Sequence, residues 1–419
     1  MKTIANALKN TGIAEDVENI RSEDITLISV EVLHFLFYFL TGFPLAIMAL
    51  YGVVVVVFFF KNNPQIDRNK DVENNLRNSF QPLVSVLVAT HNEEIIISKK
   101  IDNLLSSDYP ADKIEIIFID DSDDSTPRII SNAVEKNPNI RLLRFDKRMG
   151  YSPSMLAGCK AAKGEIVILN DAGSFMDPHA ISKIVNRFQD PKIGVVAGTG
   201  DMLNVNEETG KSENLYARLF NLVKISESNM DSTFRIQGEA AGVRRLLLED
   251  MTEANETFDT AAGLYARQKG YKVVFDPEVR FREYAPKTRS GRIKQKTIRA
   301  ANLIRVLWRF RAMFFNRKYG KYGSLILPFN FALLTIVPVF ILFWFLSLLV
   351  FTILDVAFFV YVWGILGIGF LCLLVFSRTL LLTFLQFEYS LLKAIFQVMF
   401  ARKSYDKIDK VASTRRLTD

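Results

Sequence analysis

The sequence is poor in cysteine: Cys159 and Cys372 are the two such residues among 419. Cys159 lies in the soluble part of the sequence and Cys372 in an apolar stretch. Two cysteines placed in this way cannot form the set of disulfide bonds that stabilises small secreted domains. They also cannot supply the thiolate ligands of a structural zinc site. We therefore expect neither a disulfide framework nor a zinc site.

Charge is absent from residues 35–60, a stretch rich in Phe, Leu and Val. This length of uncharged, apolar sequence is enough to cross a bilayer as a helix, with Pro44 as the expected position of a kink. We do not expect a cleavable signal peptide. The segment before the apolar run is long and acidic, whereas a signal peptide starts with a short basic segment, and the apolar run is longer than that of a signal peptide. If the apolar region extends back to Ile25, a two-helix hairpin turning at residues 41–44 is an alternative.

A second apolar region covers residues 325–400. Two parts of it, residues 326–349 and 356–376, have the length of membrane spans. The third part, residues 380–401, contains Gln386, Glu388 and Lys393. It is therefore either a span packed against other helices or a helix lying in the membrane interface.

Acidic residues are absent from residues 286–323, which contain twelve Lys or Arg side chains within a chain of net charge +7. A nucleic-acid surface is the rival interpretation of such a stretch. Because it leads directly into an apolar span, we expect it to bind anionic headgroups on the cytosolic side, and we expect no nucleic-acid partner. The basic tail, residues 402–419, should lie on the same side.

The middle of the chain alternates strand patterns with helix patterns. Apolar strand patterns cover residues 83–89, 114–119, 140–145 and 166–169. The last is a consecutive apolar run, typical of a strand buried on both faces of a mostly parallel sheet. The alternation predicts an α/β domain with a central, mostly parallel sheet.

Polar residues follow three of these strands directly. Thr90 and Glu93 follow the first, Asp121 follows the second and Asp171 follows the fourth. Ligands of open α/β sheets bind beyond the carboxyl ends of the strands, so these side chains should meet at one binding edge.

This set of motifs resembles the GT-A domain of the membrane-embedded family 2 glycosyltransferases, the group of hyaluronan and cellulose synthases. The sequence HNEE at 91–94 is similar to the family's (Y/H)NEE, the pair at 120–121 to its DDxS, and Asp171 to the first residue of DxD. GYKVVFDP at 270–277 looks like GYxVxxxP, and the family's spacing back from it places the catalytic base at Asp259. The resemblance covers about residues 83–325.

Two further segments extend the resemblance to the acceptor side. Residues 237–245 resemble the segment that lines the acceptor, and the basic helix around 289–311 stands where the synthases carry QxxRW. The resemblance places the following residues on the acceptor or diphosphate side: Gly238, Arg244, Gln295, Lys296 and Arg299.

Three positions depart from the family pattern. Gly173 stands where DxD has its second carboxylate, Phe258 stands where the acidic ED pair has its Glu, and Ala300 stands where QxxRW has its Trp. The first departure puts the strength of metal binding in doubt, and the last weakens the case for processive synthesis.

The resemblance implies an inverting sugar transfer with a role for each motif residue. Thr90, Glu93 and Asp121 would hold the nucleobase, and Asp171 would hold the diphosphate through Mg²⁺ or Mn²⁺. Asp259 would take the proton of the acceptor hydroxyl. The donor would be a nucleotide-diphosphate sugar, expected to be a UDP-sugar, and the acceptor would be lipid-linked or a polysaccharide.

Two other functions stay open for the sequence. One is a catalytically degenerate relative that serves as a membrane scaffold of a polysaccharide assembly complex. The other is a basic membrane protein that acts through lipid or nucleic-acid contacts. We expect a multi-pass protein of the cell membrane with a cytosolic transferase domain, and a homo-oligomer or assembly-complex partners.

The expected organisation has seven parts. In chain order they are a polar N-terminus at 1–24, a membrane region at 25–60, a linker at 61–80, the GT-A domain at 81–285, basic interface helices at 286–324, a second membrane region at 325–401 and a basic tail at 402–419.

Overall fold

The computed structural model describes residues 13–60, 80–249, 251, 257–286, 288–354 and 356–400. An eight-stranded sheet forms its centre, with the strand order β3-β2-β1-β4-β7-β6-β8-β5. The strands are β1 (Val84–Thr90), β2 (Ile114–Asp120), β3 (Ile140–Arg144), β4 (Ile166–Asp171), β5 (Ser174–Met176), β6 (Ile193–Met202), β7 (Ala241–Arg244) and β8 (Lys272–Glu283).

Helices connect most of these strands and continue beyond the last. They are α1 (Ile13–Phe59), α2 (Ile97–Leu105), α3 (Thr126–Lys136), α4 (Tyr151–Ala161), α5 (Ala180–Arg187), α6 (Glu208–Met230), α7 (Phe258–Gln268), α8 (Arg289–Arg309), α9 (Leu327–Phe331), α10 (Val337–Leu354) and α11 (Val356–Phe400). π-helical turns at Tyr322–Ile326 and Ala332–Ile336 flank α9.

Both faces of the central strands are buried, as the consecutive apolar runs predict. Leu87 and Leu169 contribute to the core on one face, under α4 and α7, whereas Val86 and Ile168 contribute to the core on the other face. Every residue of β2 is buried. The prediction of a central, mostly parallel α/β sheet is confirmed.

The first four strands are parallel, so their carboxyl ends meet at one edge. In the register, Thr90 of β1 lies beside Asp120 of β2, and Ala89 lies beside Asp171 of β4. Strand β7 is antiparallel to β4, with Leu169 opposite Ala241 and Ile166 opposite Arg244. The start of β7 therefore lies near the carboxyl edge, and its end points away from it.

The chain divides into two compact units. The first comprises residues 1–50 and 336–378, and the second comprises residues 51–335 and 379–419. In the first unit, Phe37 and Leu348 are buried together and Trp344 packs against them. In the second unit, Leu391 and Ala394 of α11 join the core beneath the sheet.

Two helical stretches among the described residues are long and apolar enough to cross a membrane. They are His34–Phe59 and Tyr322–Val350. Helix α1 continues without a break through Pro44, so the chain makes no hairpin at residues 41–44. Residues 356–376 lie in α11, where a shorter apolar stretch covers Val360–Gly369. Their crossing of the membrane stays a prediction.

The basic stretch after the sheet belongs in part to the core of the sheet-containing unit. Ala300, Ala301 and Ile304 of α8 are buried in the same apolar cluster as the strands. Most of the expected linker, residues 61–79, and the tail with residue 401 lie outside the described residues.

Candidate active site

A buried cluster of hydrogen bonds around Asp120 joins the ends of the first three strands. The Thr90 hydroxyl donates to Asp120 Oδ1 over 2.8 Å, and Arg144 donates to Asp120 Oδ2 over 2.6 Å. Asp120 is fully buried and also accepts from the Ser122 hydroxyl. Thr90 thus lies at the predicted edge. The neighbouring Asp120 is a structural anchor that the sequence motif alone does not separate from Asp121.

Asp121 holds the loop that leads into α4. Its Oδ2 accepts from the backbone N–H of Met149 over 2.7 Å, and its Oδ1 lies 2.8 Å from His91 Nδ1. Gly150 adopts a φ of +86°, a backbone conformation that glycine reaches without strain. Asp121 therefore orders the loop beside the proposed nucleobase pocket.

Glu93 lies in a tight turn between β1 and α2. Its backbone N–H donates to Thr126 Oγ1 over 2.8 Å, and its carbonyl accepts from the N–H groups of Ile96 and Ile97. Asn92 precedes it with a φ of +56°, which Asn tolerates better than most residues. The side chain of Glu93 is buried.

Asp171 ends β4 and contacts a residue that sequence reasoning missed. The hydroxyl of Tyr151, in the first turn of α4, donates a hydrogen bond to it. Burial, and then the charges of Asp171 and Asp259, raise the pKa of Tyr151 well above its usual value, so the phenol stays a proton donor. Tyr151 belongs to no motif, so nothing in the sequence marks it.

A buried lysine forms hydrogen bonds with the residues on both sides of the turn after Asp171. The Lys100 ammonium, fully buried on α2, donates to Asn170 Oδ1 and to the carbonyl of Ser174. Burial lowers the pKa of Lys100 to about 7. These contacts fix both ends of the segment that carries Asp171 and Gly173.

Asp259 lies in the first turn of α7, at the position predicted for the base. Its Oδ2 accepts from the N–H of Gly238 over 2.8 Å, and its Oδ1 accepts from the N–H of Thr260 over 2.7 Å. Burial and the nearby charge of Glu239 raise the pKa of Asp259 to about 6. A carboxyl group with this pKa is half ionised near pH 6 and mostly ionised at neutral pH, so it can accept a proton there.

The neighbourhood of Gly238 connects Asp259 with Tyr151. A Cβ atom at Gly238 would lie 2.8 Å from the Tyr151 hydroxyl oxygen and 3.2 Å from Asp259 Oδ2. The three residues are therefore in close contact, and position 238 has no room for a side chain. Phe258, in contrast, is fully buried in the apolar core, so it does not face the site.

Glu239 is a second carboxylate that the motifs did not indicate. It is 4% exposed, and its Oε1 accepts from Arg299 Nη2 over 2.8 Å. Burial acts to lower the pKa of Arg299, but the charges of Glu239, Glu283 and Asp171 outweigh it and raise that pKa. The structure thus brings Arg299, one of the predicted residues, to the same edge as Asp171 and Asp259.

Arg244, Lys296 and Gln295, also predicted on the acceptor side, have other surroundings. Arg244 ends β7 at the opposite end of β4, where its guanidinium donates to the carbonyls of Ile193 and Phe188. Lys296 pairs with Glu213 over 2.7 Å on the neighbouring helix α6. Gln295 is half-buried on α8. The hydrogen bonds of Arg244 therefore stabilise the chain at the opposite end of the sheet from Asp171.

The donor atoms around Asp171 suit a hard divalent cation with one protein ligand. Carboxylate and phenol oxygens surround this point, and hard cations such as Mg²⁺ prefer oxygen. Among the residues that the structure describes, no group of three or more His, Cys, Asp or Glu could hold a metal ion. Asp171 would thus be the protein's ligand, and water and substrate oxygens would complete the coordination.

Comparisons with known proteins agree with this geometry. Residues 85–251 match the family model of Glycosyl transferase family 2. A mannosyltransferase from Pyrobaculum calidifontis, solved with GDP-Man and Mn²⁺, superimposes with a TM-score of 0.69 at 21% identity, over 87% of this chain and 100% of that one. The fold is thus the GT-A fold.

Sequence relatives come from staphylococci. The poly-β-1,6-N-acetyl-D-glucosamine synthase of Staphylococcus epidermidis is 27% identical over 267 residues, 62% of this chain and 63% of that protein. The Staphylococcus aureus (strain COL) synthase is 27% identical over 301 residues, 70% of this chain and 71% of that protein. The match thus spans a little less than two thirds of the S. epidermidis relative.

The family model and the homology with the synthases define the class of protein as a glycosyltransferase, with the GT-A fold. The chain contains a family 2 glycosyltransferase domain and is homologous to the staphylococcal synthases. The predictions of a family 2 glycosyltransferase domain, of the GT-A fold and of a glycosyltransferase activity are confirmed.

Proposed function

We propose that this protein is a membrane glycosyltransferase that moves a sugar from a nucleotide-diphosphate sugar onto a lipid-linked or polysaccharide acceptor, with inversion at the anomeric carbon. One observation carries the proposal. Asp259, with a pKa raised to about 6, lies in the same polar cluster as Asp171, so a proton acceptor and a diphosphate-binding carboxylate stand side by side.

The donor follows from the strand ends. Thr90, Glu93 and Asp121 lie at or just after the ends of β1 and β2, where the nucleobase would bind, and Asp171 ends the neighbouring β4, where the diphosphate would follow. The mannosyltransferase of the same fold was solved with a nucleotide sugar, which supports this class of donor. We expect a UDP-sugar.

A divalent cation, Mg²⁺ or Mn²⁺, would supply positive charge to the leaving diphosphate when bound at Asp171. The Tyr151 hydroxyl holds the Asp171 carboxylate in place by donating to it. The N–H groups of Gly238 and Thr260 hold the Asp259 carboxylate, which takes the proton of the acceptor hydroxyl at one of its oxygens. Arg299 adds positive charge on the same edge.

The acceptor class follows from the relatives and from the apolar helices. The staphylococcal relatives are synthases of a polysaccharide, which favours a glycan product. The two stretches His34–Phe59 and Tyr322–Val350 favour a membrane location, with a lipid-linked or growing chain as acceptor. We further propose a multi-pass protein of the cell membrane with its transferase domain in the cytosol, acting as a homo-oligomer or in an assembly complex.

The test is a donor screen with the full-length protein in detergent or vesicles. Purified protein is incubated with a panel of nucleotide sugars, a glycan or lipid acceptor extract and Mn²⁺ or Mg²⁺, and the free nucleoside diphosphate is measured. We expect release from one donor, abolished by Asp259→Asn. Binding of a nucleotide sugar without release from any donor would instead support the scaffold function.

A further inference from the structure

One family carboxylate is missing from this site, at Gly173, yet the structure contains a carboxylate, Glu239, that the sequence motifs did not single out. Glu239 lies in the segment before β7, which the antiparallel register brings to the carboxyl end of β4. It is 4% exposed. A carboxylate is rarely buried to this extent without a partner that keeps it charged.

The backbone of Glu239 is tied to the segment that carries Asp171. Its carbonyl accepts from Asn170 Nδ2 and from Ser174 Oγ, the latter over 3.2 Å. Asn170 precedes Asp171, and Ser174 follows Gly173. Glu239 therefore has a fixed position relative to the turn at the carboxyl end of β4.

The side chain of Glu239 reaches across to α8. Its Oε1 accepts from Arg299 Nη2 over 2.8 Å, in a pair whose side chains are 6% and 40% exposed, respectively. The Glu239 carboxylate is thus buried, whereas the Arg299 side chain is partly exposed. Because a guanidinium has five N–H donors in a rigid fork, one hydrogen bond to Glu239 orients the others.

We propose that Glu239 is a positioning residue of the active site, which holds the Arg299 guanidinium on the diphosphate side as a counter-charge for the leaving group. Arg299 then offsets part of the negative charge of the leaving diphosphate. In relatives with a second carboxylate, a more tightly held cation would offset that part. This inference rests on the proposed glycosyl transfer. It adds to that proposal the residue that makes Arg299 effective.

The neighbouring pair on α8 shows why Arg299 is the relevant cation. Arg292 and Lys296 both pair with Glu213, over 2.6 and 2.7 Å, and both are mostly buried in this separate cluster. The basic residues of α8 therefore differ in their partners, and Glu239 connects Arg299 with the segment of Asp171.

A double-mutant cycle tests the proposal on the full-length protein. We expect Glu239→Gln to lower kcat/KM for the donor about tenfold, because an ion-paired hydrogen bond is lost. Arg299→Ala should lower it at least as much, and Glu239→Gln should cause less than a twofold further loss in the Arg299→Ala background. Full additivity of the two losses, or a Glu239→Gln enzyme within twofold of wild type, would overturn the proposal.

Chemical rescue gives a readout that a purely structural role would not change. Millimolar guanidinium should restore part of the activity of Arg299→Ala and should not restore that of the double variant, because Glu239 forms the binding site for the added cation. Equal rescue of both variants would contradict the proposal. The control is Glu249→Gln, which removes an exposed ion pair with Arg245 and should leave kcat/KM unchanged.

Two further measurements keep the result interpretable. If Glu239→Gln fails to fold, as judged by thermal unfolding, Glu239→Asp keeps the charge but shortens its reach and carries the same cycle. Calorimetric binding of nucleoside diphosphate requires no turnover. Weaker binding by Glu239→Gln, without turnover by wild type, would support the positioning role while rejecting the proposed transfer. Unchanged binding would reject the positioning role.

Discussion

At the scale of single residues, three aspartates of the candidate site have three different surroundings. Asp120 is fully buried and satisfied by Thr90, Ser122 and Arg144, so it anchors strands. Asp171 lies half-buried at a strand end. Asp259 accepts two backbone hydrogen bonds, yet burial and the charge of Glu239 still raise its pKa. Environment, and not residue type, separates anchor from base.

Replacing Asp259 by Asn should abolish most of the transfer while leaving donor binding nearly unchanged. The substitution keeps the shape and removes the proton acceptor, and a positioned general base contributes roughly 10² to 10⁴ in rate. We therefore expect the rate of nucleoside diphosphate release to fall by at least about 10². Calorimetric donor affinity is the companion measurement, and Asp112→Asn, at an exposed position, is the control. Activity within a few-fold of wild type would mean that Asp259 has only a structural role in the first turn of α7.

The pH dependence should follow the ionisation of Asp259. The base acts when deprotonated, so kcat/KM for the acceptor should rise with pH through about 6 and level off above it. Stability should change in the opposite sense, because the folded pKa of about 6 lies above the ordinary value of 3.8 and the folded state binds the proton more tightly.

The stabilising contribution of protonated Asp259 is thus complete below about pH 3.8 and is lost as the pH rises through about 6. The melting temperature of Asp259→Asn relative to that of wild type should consequently rise as the pH increases from 4 to 7.5. An activity profile that is flat between pH 5 and 7 would contradict this assignment.

At the scale of elements, the segment between β4 and β5 would determine how strongly a divalent cation binds at the proposed site. The Lys100 ammonium fixes this segment by donating to Asn170 and to the carbonyl of Ser174. Asp171 is the carboxylate that the segment carries. A cation with one protein carboxylate keeps several waters and binds more weakly than one with two. The element therefore predicts weak metal dependence.

Gly173→Asp should restore a second carboxylate and tighten metal binding, provided that the backbone accommodates the side chain. We expect the half-saturating concentration of Mn²⁺ in the release assay to fall. Asp171→Asn is the matched control, since it should raise that concentration or remove the metal effect altogether. Full wild-type activity in excess chelator would show that the counter-charge comes from protein cations instead.

Helix α8 shows why the Trp of QxxRW cannot simply be returned. Ala300 is 6% exposed and packs in the core cluster beside Ala301 and Ile304. Ala300→Trp should overpack this region and destabilise the fold by about 1–3 kcal/mol or more. Thermal unfolding should show the loss. Arg305→Trp, at an exposed position of the same helix, should leave the melting temperature nearly unchanged.

At the scale of the whole molecule, the apolar stretches and the basic residues predict an orientation. Lys and Arg near membrane spans favour the cytosolic side, so the transferase domain and the tail should both face the cytosol. The tail lies outside the described residues, so cysteine labelling is the appropriate measurement.

In a background lacking the native cysteines, Ser413→Cys in the tail and Ser106→Cys at an exposed position of the sheet-containing unit are compared in intact cells. Neither should react with an impermeant reagent until the membrane is permeabilised. Labelling of Ser413→Cys from outside, with Ser106→Cys still protected, would show that the tail and the transferase domain lie on opposite sides.

The sequence by itself determined the parts of this protein that depend on local patterns. The strand runs, the residues that follow them and the spacing that marks Asp259 all come from short segments, and parallel strands bring their carboxyl ends together in any such fold. The spacing of Ile97, Ile101, Leu104 and Leu105 predicts one apolar face on the helix after β1. The first three are buried, whereas Leu105 at the end of the helix is exposed.

The tertiary structure decided what depends on pairs of distant residues. Tyr151 meets Asp171 because the packing of α4 on the sheet brings the first turn of α4 to the end of β4. Glu239 meets Arg299 because an antiparallel β7 and a returning α8 bring the two residues to the same edge. The same antiparallel direction takes Arg244, a predicted site residue, to the opposite end. The pKa of Asp259 follows from this assembly, because burial and neighbouring charge are properties of packed structure and have no signature in a local motif.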